Sequence, residues 1–280
     1  MYKTWLYSAI AMLAFAGNSV LCRWALTQTS IDPASFTVIR LISGAVFLVA
    51  LVYIATPATA ARSSRILGSW SGAVALFAYA ACFSFAYISL SAATGALLLF
   101  GSVQFTMIGF GLWRGERLNR WQILGVCSAI VGLGIMFLPS ATTPGVVAAS
   151  LMICSGVAWG VYSILGKKAG DPTLVTTGNF LRSSILAVLL GLLSLPYLVF
   201  DMTGFALAVI SGALASGAGY AIWYSVLPNI TSTQAATMQL SVPVIASLGG
   251  LLLLNESITL SFAVASVAIL GGIALVIKRA

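Results

Sequence analysis

The chain has 280 residues, of which 60% are hydrophobic and only 6% charged, whereas a soluble domain carries about a quarter charged residues. This composition excludes a water-soluble globular protein and points to the bilayer as solvent. The net charge of +8, from 13 Lys and Arg against 5 Asp and Glu, is not a nucleic-acid footprint, because the cations fall between apolar runs, where membrane topology accounts for them.

Apolar stretches of about 20 residues, the length that spans a bilayer as a helix, are predicted ten times. The first, near 4–24, carries Asn18. Its lysine, apolar run and Ala-x-Ala at 14–16 have the features of a cleavable signal peptide; the internal repeat described below counts the run as a first span and argues against cleavage. After the turn "SIDPAS" the second span, 34–56, holds Arg40, and the third, 67–89, holds Tyr79 and Phe83. The fourth, 93–113, contains Gln104; the fifth runs over 120–138 and the sixth over 145–166, with Trp159 and Tyr162. The seventh, 174–199, follows "GDPT" and contains Asn179 and Arg182; the eighth, 204–227, contains Tyr220, Trp223 and Tyr224. The ninth, 232–254, carries Gln239 and Pro243, and the tenth covers 259–277. Proline and glycine punctuate the connections, and none is long enough for a soluble domain.

With the N-terminus cytoplasmic, Lys3, Arg62, Arg65, Arg114, Arg117, Arg120, Lys167, Lys168, Lys278 and Arg279 fall on the inner side, ten of the thirteen cations. The positive-inside rule therefore predicts cytoplasmic N- and C-termini, in a plasma membrane of the bacterial inner-membrane kind. Cys22, Cys82, Cys127 and Cys154 stand singly in apolar runs, without CxxC spacing, and histidine is absent. They read as packing or lipid-facing residues, and no metal or cofactor is expected.

An internal repeat is visible at a shift of 140 residues. Ser71-Gly72-Ala73 falls on Ser211-Gly212-Ala213, but small residues are so common that this alone is weak. Rarer residues share the register: Glu116 meets Glu256, Gly132 meets Gly272, and Asp32-Pro33 meets Asp171-Pro172 at a shift of 139. A duplication of 1–139 into 140–280 follows. Five spans is an odd number, so the second half enters the membrane from the opposite side. Such inverted repeats suit alternating access, because one fold in two orientations can exchange conformations around a midplane site.

Ten spans as five plus five, "RGERLNRWQILG" after the fourth span, "LNESITL" as its counterpart and Pro243 upstream resemble the EamA group of the drug/metabolite transporter superfamily over the whole chain. Within that group the chain is most similar to YddG-type aromatic amino-acid exporters. The resemblance implies an all-α integral membrane protein, ten transmembrane helices in two inverted five-helix repeats around a central cavity, moving small metabolites.

Polar and aromatic groups inside spans mark the expected site, since each polar group there needs an interior partner. Asn18, Tyr79, Phe83, Gln104, Trp159, Tyr162, Tyr220, Trp223 and Gln239 are the substrate-binding candidates. Tyr79 and Phe83 share a helix face, as do Tyr220, Trp223 and Tyr224; these faces suit stacking, cation–π attraction or interhelical packing alike. Pro243 lacks an N–H and would free the carbonyl of Gln239. Arg40 and Arg182 are read as gating or vestibule residues able to attract a carboxylate, with snorkelling to head groups as the plainer account. Glu116 and Glu256 are read as caps of the following fifth and tenth helices.

No Asp or Glu lies near the middle of a span, and no histidine is present, so a proton relay or acid–base enzyme chemistry has no obvious carrier. The expected function is export of small amphipathic metabolites, foremost aromatic or neutral amino acids. The alternative is organic cation or multidrug efflux. The expected partners are the substrate and the lipid bilayer, with no nucleic acid and no obligate protein partner.

Overall fold

The computed structural model describes residues 2–55, 67–115, 117–136, 144–166, 170–226, 229 and 238–278. Arg62, Arg65, Lys167, Lys168, Arg279 and Glu116, on which parts of the topology and repeat arguments rest, lie outside the described residues.

Ten apolar helices make up the described fold: α1 (Tyr2–Gln28), α2 (Pro33–Ala55), α3 (Trp70–Ala86), α4 (Ala92–Trp113), α5 (Arg120–Met136), α6 (Val146–Gly166), α7 (Pro172–Leu193), α8 (Met202–Val226), α9 (Ser241–Leu254) and α10 (Leu260–Lys278). Helices are the form in which a hydrocarbon-embedded segment satisfies its own backbone. Six of them, α1, α2, α4, α6, α7 and α8, are long and apolar enough to cross a membrane; the rest are shorter apolar helices. Val46, Val131, Leu189, Leu252 and Val267 are exposed on the outside, the surface expected of a protein bathed in lipid.

Helix starts follow local chemistry. Asp32 caps α2 by accepting from the Ala34 and Ser35 N–H groups at 2.9 Å each, and Asp171 caps α7 through Thr173 and Leu174. In both, proline occupies the first helical position, where its missing N–H costs nothing. Asp201, Ser69 and Ser91 cap α8, α3 and α4 in the same way.

Several predicted spans differ in extent or form: α1 runs to Gln28 rather than 24, and α9 starts at Ser241 rather than 232, part of the interval lying outside the described residues. The seventh was expected to run to 199, but α7 ends at Leu193 and a 3-10 turn, Leu195–Tyr197, follows; Pro196 cannot donate and biases the residue before it away from helix. The third ends at Ala86 rather than 89, because Ser91 already starts α4. Inside α8, Ser211–Ala218 is a π-helix.

The packing pairs helices five apart: α5 lies on α10, α2 on α7 and α4 on α9. The cross pairs are also matched, with α3 on α6 and α8 on α1, α4 on α6 and α9 on α1, α2 on α8 and α7 on α3. At the α5–α10 contact Gly132 abuts Ala265 and Ile269, while Gly272 abuts Gly125 and Ala129. Ser128 Oγ donates to the Ala268 carbonyl at 3.0 Å. These contacts are reciprocal at a shift of 140: Gly132 with Ala265 and Ile269 corresponds to Gly272 with Gly125 and Ala129, and Ser128 meets the position 140 after itself, Ala268.

Candidate substrate-binding site

At the centre of the bundle a small cavity is walled by Phe15 and Asn18 of α1, Tyr79 and Phe83 of α3, Leu99 and Phe100 of α4, Trp159 of α6 and Tyr220 of α8. In this conformation the rings close on one another, and the space left among them is no larger than about one water molecule. Both halves of the chain contribute walls.

Trp159 is the hub. Its ring centroid lies 4.8 Å from Tyr220, 5.0 Å from Tyr79, 5.5 Å from Tyr162 in a stacked pose, and 6.1 Å from Phe15. Phe15 also meets Tyr220 at 5.8 Å and Trp223 at 6.0 Å, edge-on. Such pairs contribute about 0.5–1.5 kcal/mol each beyond area burial, so the rings hold one another in place and present faces to the cavity.

A hydrogen-bonded chain runs along one wall. Asn18 Nδ2 donates to Tyr79 Oη at 3.1 Å, and Arg40 Nη2 donates to the same oxygen at 2.9 Å. Ser211 Oγ donates to Asn18 Oδ1 at 2.6 Å, and Arg40 Nε donates to Ser216 Oγ at 3.2 Å. The π-segment makes this possible. Residues five apart on an α-helix point about 140° from each other, whereas the wider i→i+5 turn narrows that angle, so Ser211 and Ser216 both reach the polar cluster.

Arg40 is 1% exposed, and its guanidinium carbon sits 5.1 Å from the Tyr79 ring centroid and 4.8 Å from that of Phe83. It is in the layer behind these two wall rings rather than in the wall itself. Removing a guanidinium from water costs several kcal/mol. Two desolvated cation–π contacts at about 2 kcal/mol each, with two hydrogen bonds, offset much of that. Nη1 nevertheless has no hydrogen-bond partner among the described residues.

The described acids are all engaged elsewhere. Asp32, Asp171 and Asp201 cap helices, and Glu256 forms the ion pair with Arg23, Oε1 to Nε at 2.9 Å. Glu256 does not cap its own helix as expected: Oε2 accepts from the Ala92 N–H at the start of α4, at 2.8 Å. Asn255, at φ 53, turns the chain after α9 and aims the carboxylate back at α1 and α4. Arg23 also donates to the Tyr87 and Ile88 carbonyls. This latch ties α1, the α3–α4 turn and the α9–α10 turn. Glu256→Gln, which keeps an acceptor but removes the charge, is expected to cost about 1.5–3 kcal/mol, read as a lower thermal midpoint of purified protein; an unchanged midpoint would discount the latch.

Among the other expected site residues, Tyr162 and Trp223 are buried behind the wall, against Trp159 and Phe15 respectively. Gln104 is buried on α4 with Nε2 unpartnered among the described residues, and does not line the cavity. Gln239 is buried just ahead of α9, also away from the cavity wall. Pro243 lies in the first turn of α9. Arg182 donates to the Leu67 and Gly178 carbonyls at 3.2 and 3.0 Å, and Asn179 accepts from the Ser69 N–H at 2.9 Å, so both hold the start of α3 against α7. Phe15, Leu99 and Phe100 were not anticipated. For Phe15 a signal existed, since it precedes Asn18 by three positions and shares its helix face.

The EamA-like transporter family matches residues 3–138 and again 146–278. The chain belongs to the EamA-like transporter family. It is a multi-pass membrane protein of a transporter family, in keeping with its apolar helices. This EamA-family transporter is 52% identical over 276 residues to an uncharacterised Pseudomonas aeruginosa protein, covering 98% of this chain and 94% of that one. It is 26% identical to an uncharacterised transporter of Archaeoglobus fulgidus, covering 97% and 96%. Over 185 residues it is 25% identical to a "Probable amino-acid metabolite efflux pump" of Salmonella typhimurium, covering 61% and 62%. A crystal structure superposes with a TM-score of 0.65 at 19% identity, covering 97% and 99%, which establishes likeness of fold.

Proposed function

We propose that this EamA-family transporter exports small amphipathic metabolites, foremost amino acids with aromatic or other bulky neutral side chains, by alternating access. The observation that carries the reading is the ring-walled central cavity built by α1, α3, α4, α6 and α8; once the walls part, as alternating access requires, its faces suit a substrate ring and its hydroxyls and amide suit the polar end. Phe15, Asn18, Tyr79, Phe83, Trp159 and Tyr220 bind the substrate. The likeness to the Salmonella efflux pump supports the class.

The halves 1–139 and 140–280 form two inverted repeats, with N- and C-termini in the cytoplasm of a bacterial inner membrane. Two successive family matches, the pairing of helices five apart and the reciprocal Gly132 and Gly272 contacts support this arrangement. Transport runs without a carboxylate proton relay, a reading supported by the capping and latching roles of the described acids. Efflux of organic cations is the lesser reading, because a buried arginine lies behind the cavity wall.

The test is purified protein in liposomes with labelled phenylalanine, tryptophan, leucine and a quaternary amine, with and without a pH gradient. Amino-acid flux that is indifferent to the gradient is expected. Quaternary amine flux without amino-acid flux would overturn the reading, and strong gradient dependence would overturn the absence of proton coupling.

A further inference from the structure

The polar groups at the cavity are donors with few acceptors left. Tyr79 Oη already accepts from Asn18 and Arg40, which leaves the phenol its hydrogen to give. Asn18 Oδ1 is occupied by the Ser211 hydroxyl. Arg40 Nη1 is buried and unpartnered among the described residues, and the buried Tyr220 hydroxyl makes no close hydrogen bond there but faces the Tyr79 hydroxyl. Tyr220 lines the cavity, and the Arg40 guanidinium contacts two of its wall rings. No described acid is hydrogen-bonded to Arg40, and each described acid is engaged at a helix end.

A buried cation with a spare donor, beside a phenol pair with a hydrogen to give, is completed by an anionic acceptor. An ammonium group would find the Tyr220 oxygen, one lone pair of Asn18 Oδ1 and ring faces, but two of those rings already face Arg40, whose buried charge repels a second cation. We infer that the carboxylate is the group this site recognises, so that it takes apolar or aromatic monocarboxylates whether or not they carry an α-ammonium group. The inference rests on the reading above that the cavity holds the transported molecule, and it deepens that reading by separating the two ends of an amino acid. The carboxylate meets Tyr79, Tyr220 and Arg40, with side-chain motion to admit it, and the apolar body meets Trp159 and Phe15. The α-ammonium group contributes little.

The test is competition against labelled phenylalanine counterflow in proteoliposomes, with 3-phenylpropanoate, N-acetylphenylalanine, phenylalaninamide and phenylethylamine as competitors. The two carboxylates are expected to compete within about threefold of phenylalanine, and the two amines at least about thirtyfold more weakly, since a site built around hydrogen bonds to one group rejects analogues lacking it. Competition by the amines but not the carboxylates overturns the inference while leaving amino-acid export intact.

A second readout is thermal stabilisation of detergent-solubilised protein by 3-phenylpropanoate. Should phenylalanine not be carried while 3-phenylpropanoate still stabilises the protein, the amino-acid reading fails and the carboxylate site stands. Absence of stabilisation together with absence of competition by either carboxylate overturns the site. Arg40→Gln removes a buried charge without an acid partner and is expected to stay folded, to lose stabilisation by 3-phenylpropanoate and to lose at least about tenfold in carboxylate affinity. Full retention of both by a folded Arg40→Gln protein overturns the role of Arg40.

Discussion

Gly212→Leu is expected to destabilise the protein by about 3 kcal/mol or more, at the upper end of what overpacking costs, and to leave little folded material after purification. A Cβ at Gly212 would collide with the Arg40 carbonyl and the Ser43 side chain of α2. A backbone carbonyl cannot rotate away as a side-chain tip can. Relief requires α2 and α8 to separate, and with them the Arg40–Ser216 hydrogen bond. Gly134→Leu is the matched control, because a Cβ there meets nothing within 4 Å. Thermal unfolding of both variants in detergent checks the contrast. Equal stability would mean that α2 and α8 do not approach as closely as described.

Trp159→Ala is expected to lower amino-acid flux at least tenfold. Trp159 lines the cavity, and burying a substrate ring against it is worth about 1.5–3 kcal/mol, more than the 1.4 kcal/mol that corresponds to a factor of ten; its contacts with Phe15, Tyr79, Tyr162 and Tyr220 bear on stability instead. The truncation also leaves a void costing about 3–5 kcal/mol of stability, so flux must be normalised to folded protein. Trp159→Phe keeps a ring and is expected to retain more flux than alanine. If normalised flux is the same in all three proteins, Trp159 packs the bundle and does not hold substrate.

Much of the fold was legible because the bilayer simplifies the code. A run of about 20 apolar residues has few options besides a helix, and Asp32-Pro33 and Asp171-Pro172 announce helix starts through cap and proline chemistry that is wholly local. Pro196 was equally readable, and ignoring its effect carried the seventh span about six residues too far. The reach of Glu256 was not readable. Its partners, Arg23 and Ala92, are far away in sequence, and a carboxylate beside a helix start is ordinarily taken as that helix's own cap.

For the site, the aromatic residues of α3, α6 and α8 could be nominated by helical spacing, and Tyr79, Phe83, Trp159 and Tyr220 line one cavity. Gln104 and Gln239 were nominated on the same footing, polar groups inside spans, yet lie away from its wall. Polarity says that a group needs a partner, not which neighbour supplies it. Phe15 carries only the faint mark of sharing a helix face with Asn18, which in an apolar helix does not separate a wall residue from packing until its neighbours are known.

Composition and periodicity were sufficient for the solvent, the helical class and the family likeness, because these depend on transfer free energies and local backbone chemistry summed along the chain. Tertiary structure decided where Arg40 is. In sequence it is a cation some turns inside a span, able to snorkel; in the fold it is buried behind Tyr79 and Phe83. That position depends on the orientation of α2 against α3 and α8, and on a π-segment that turns Ser211 and Ser216 toward the same cluster. Helix rotation and one extra residue per turn are set by contacts between distant segments, which no local pattern encodes.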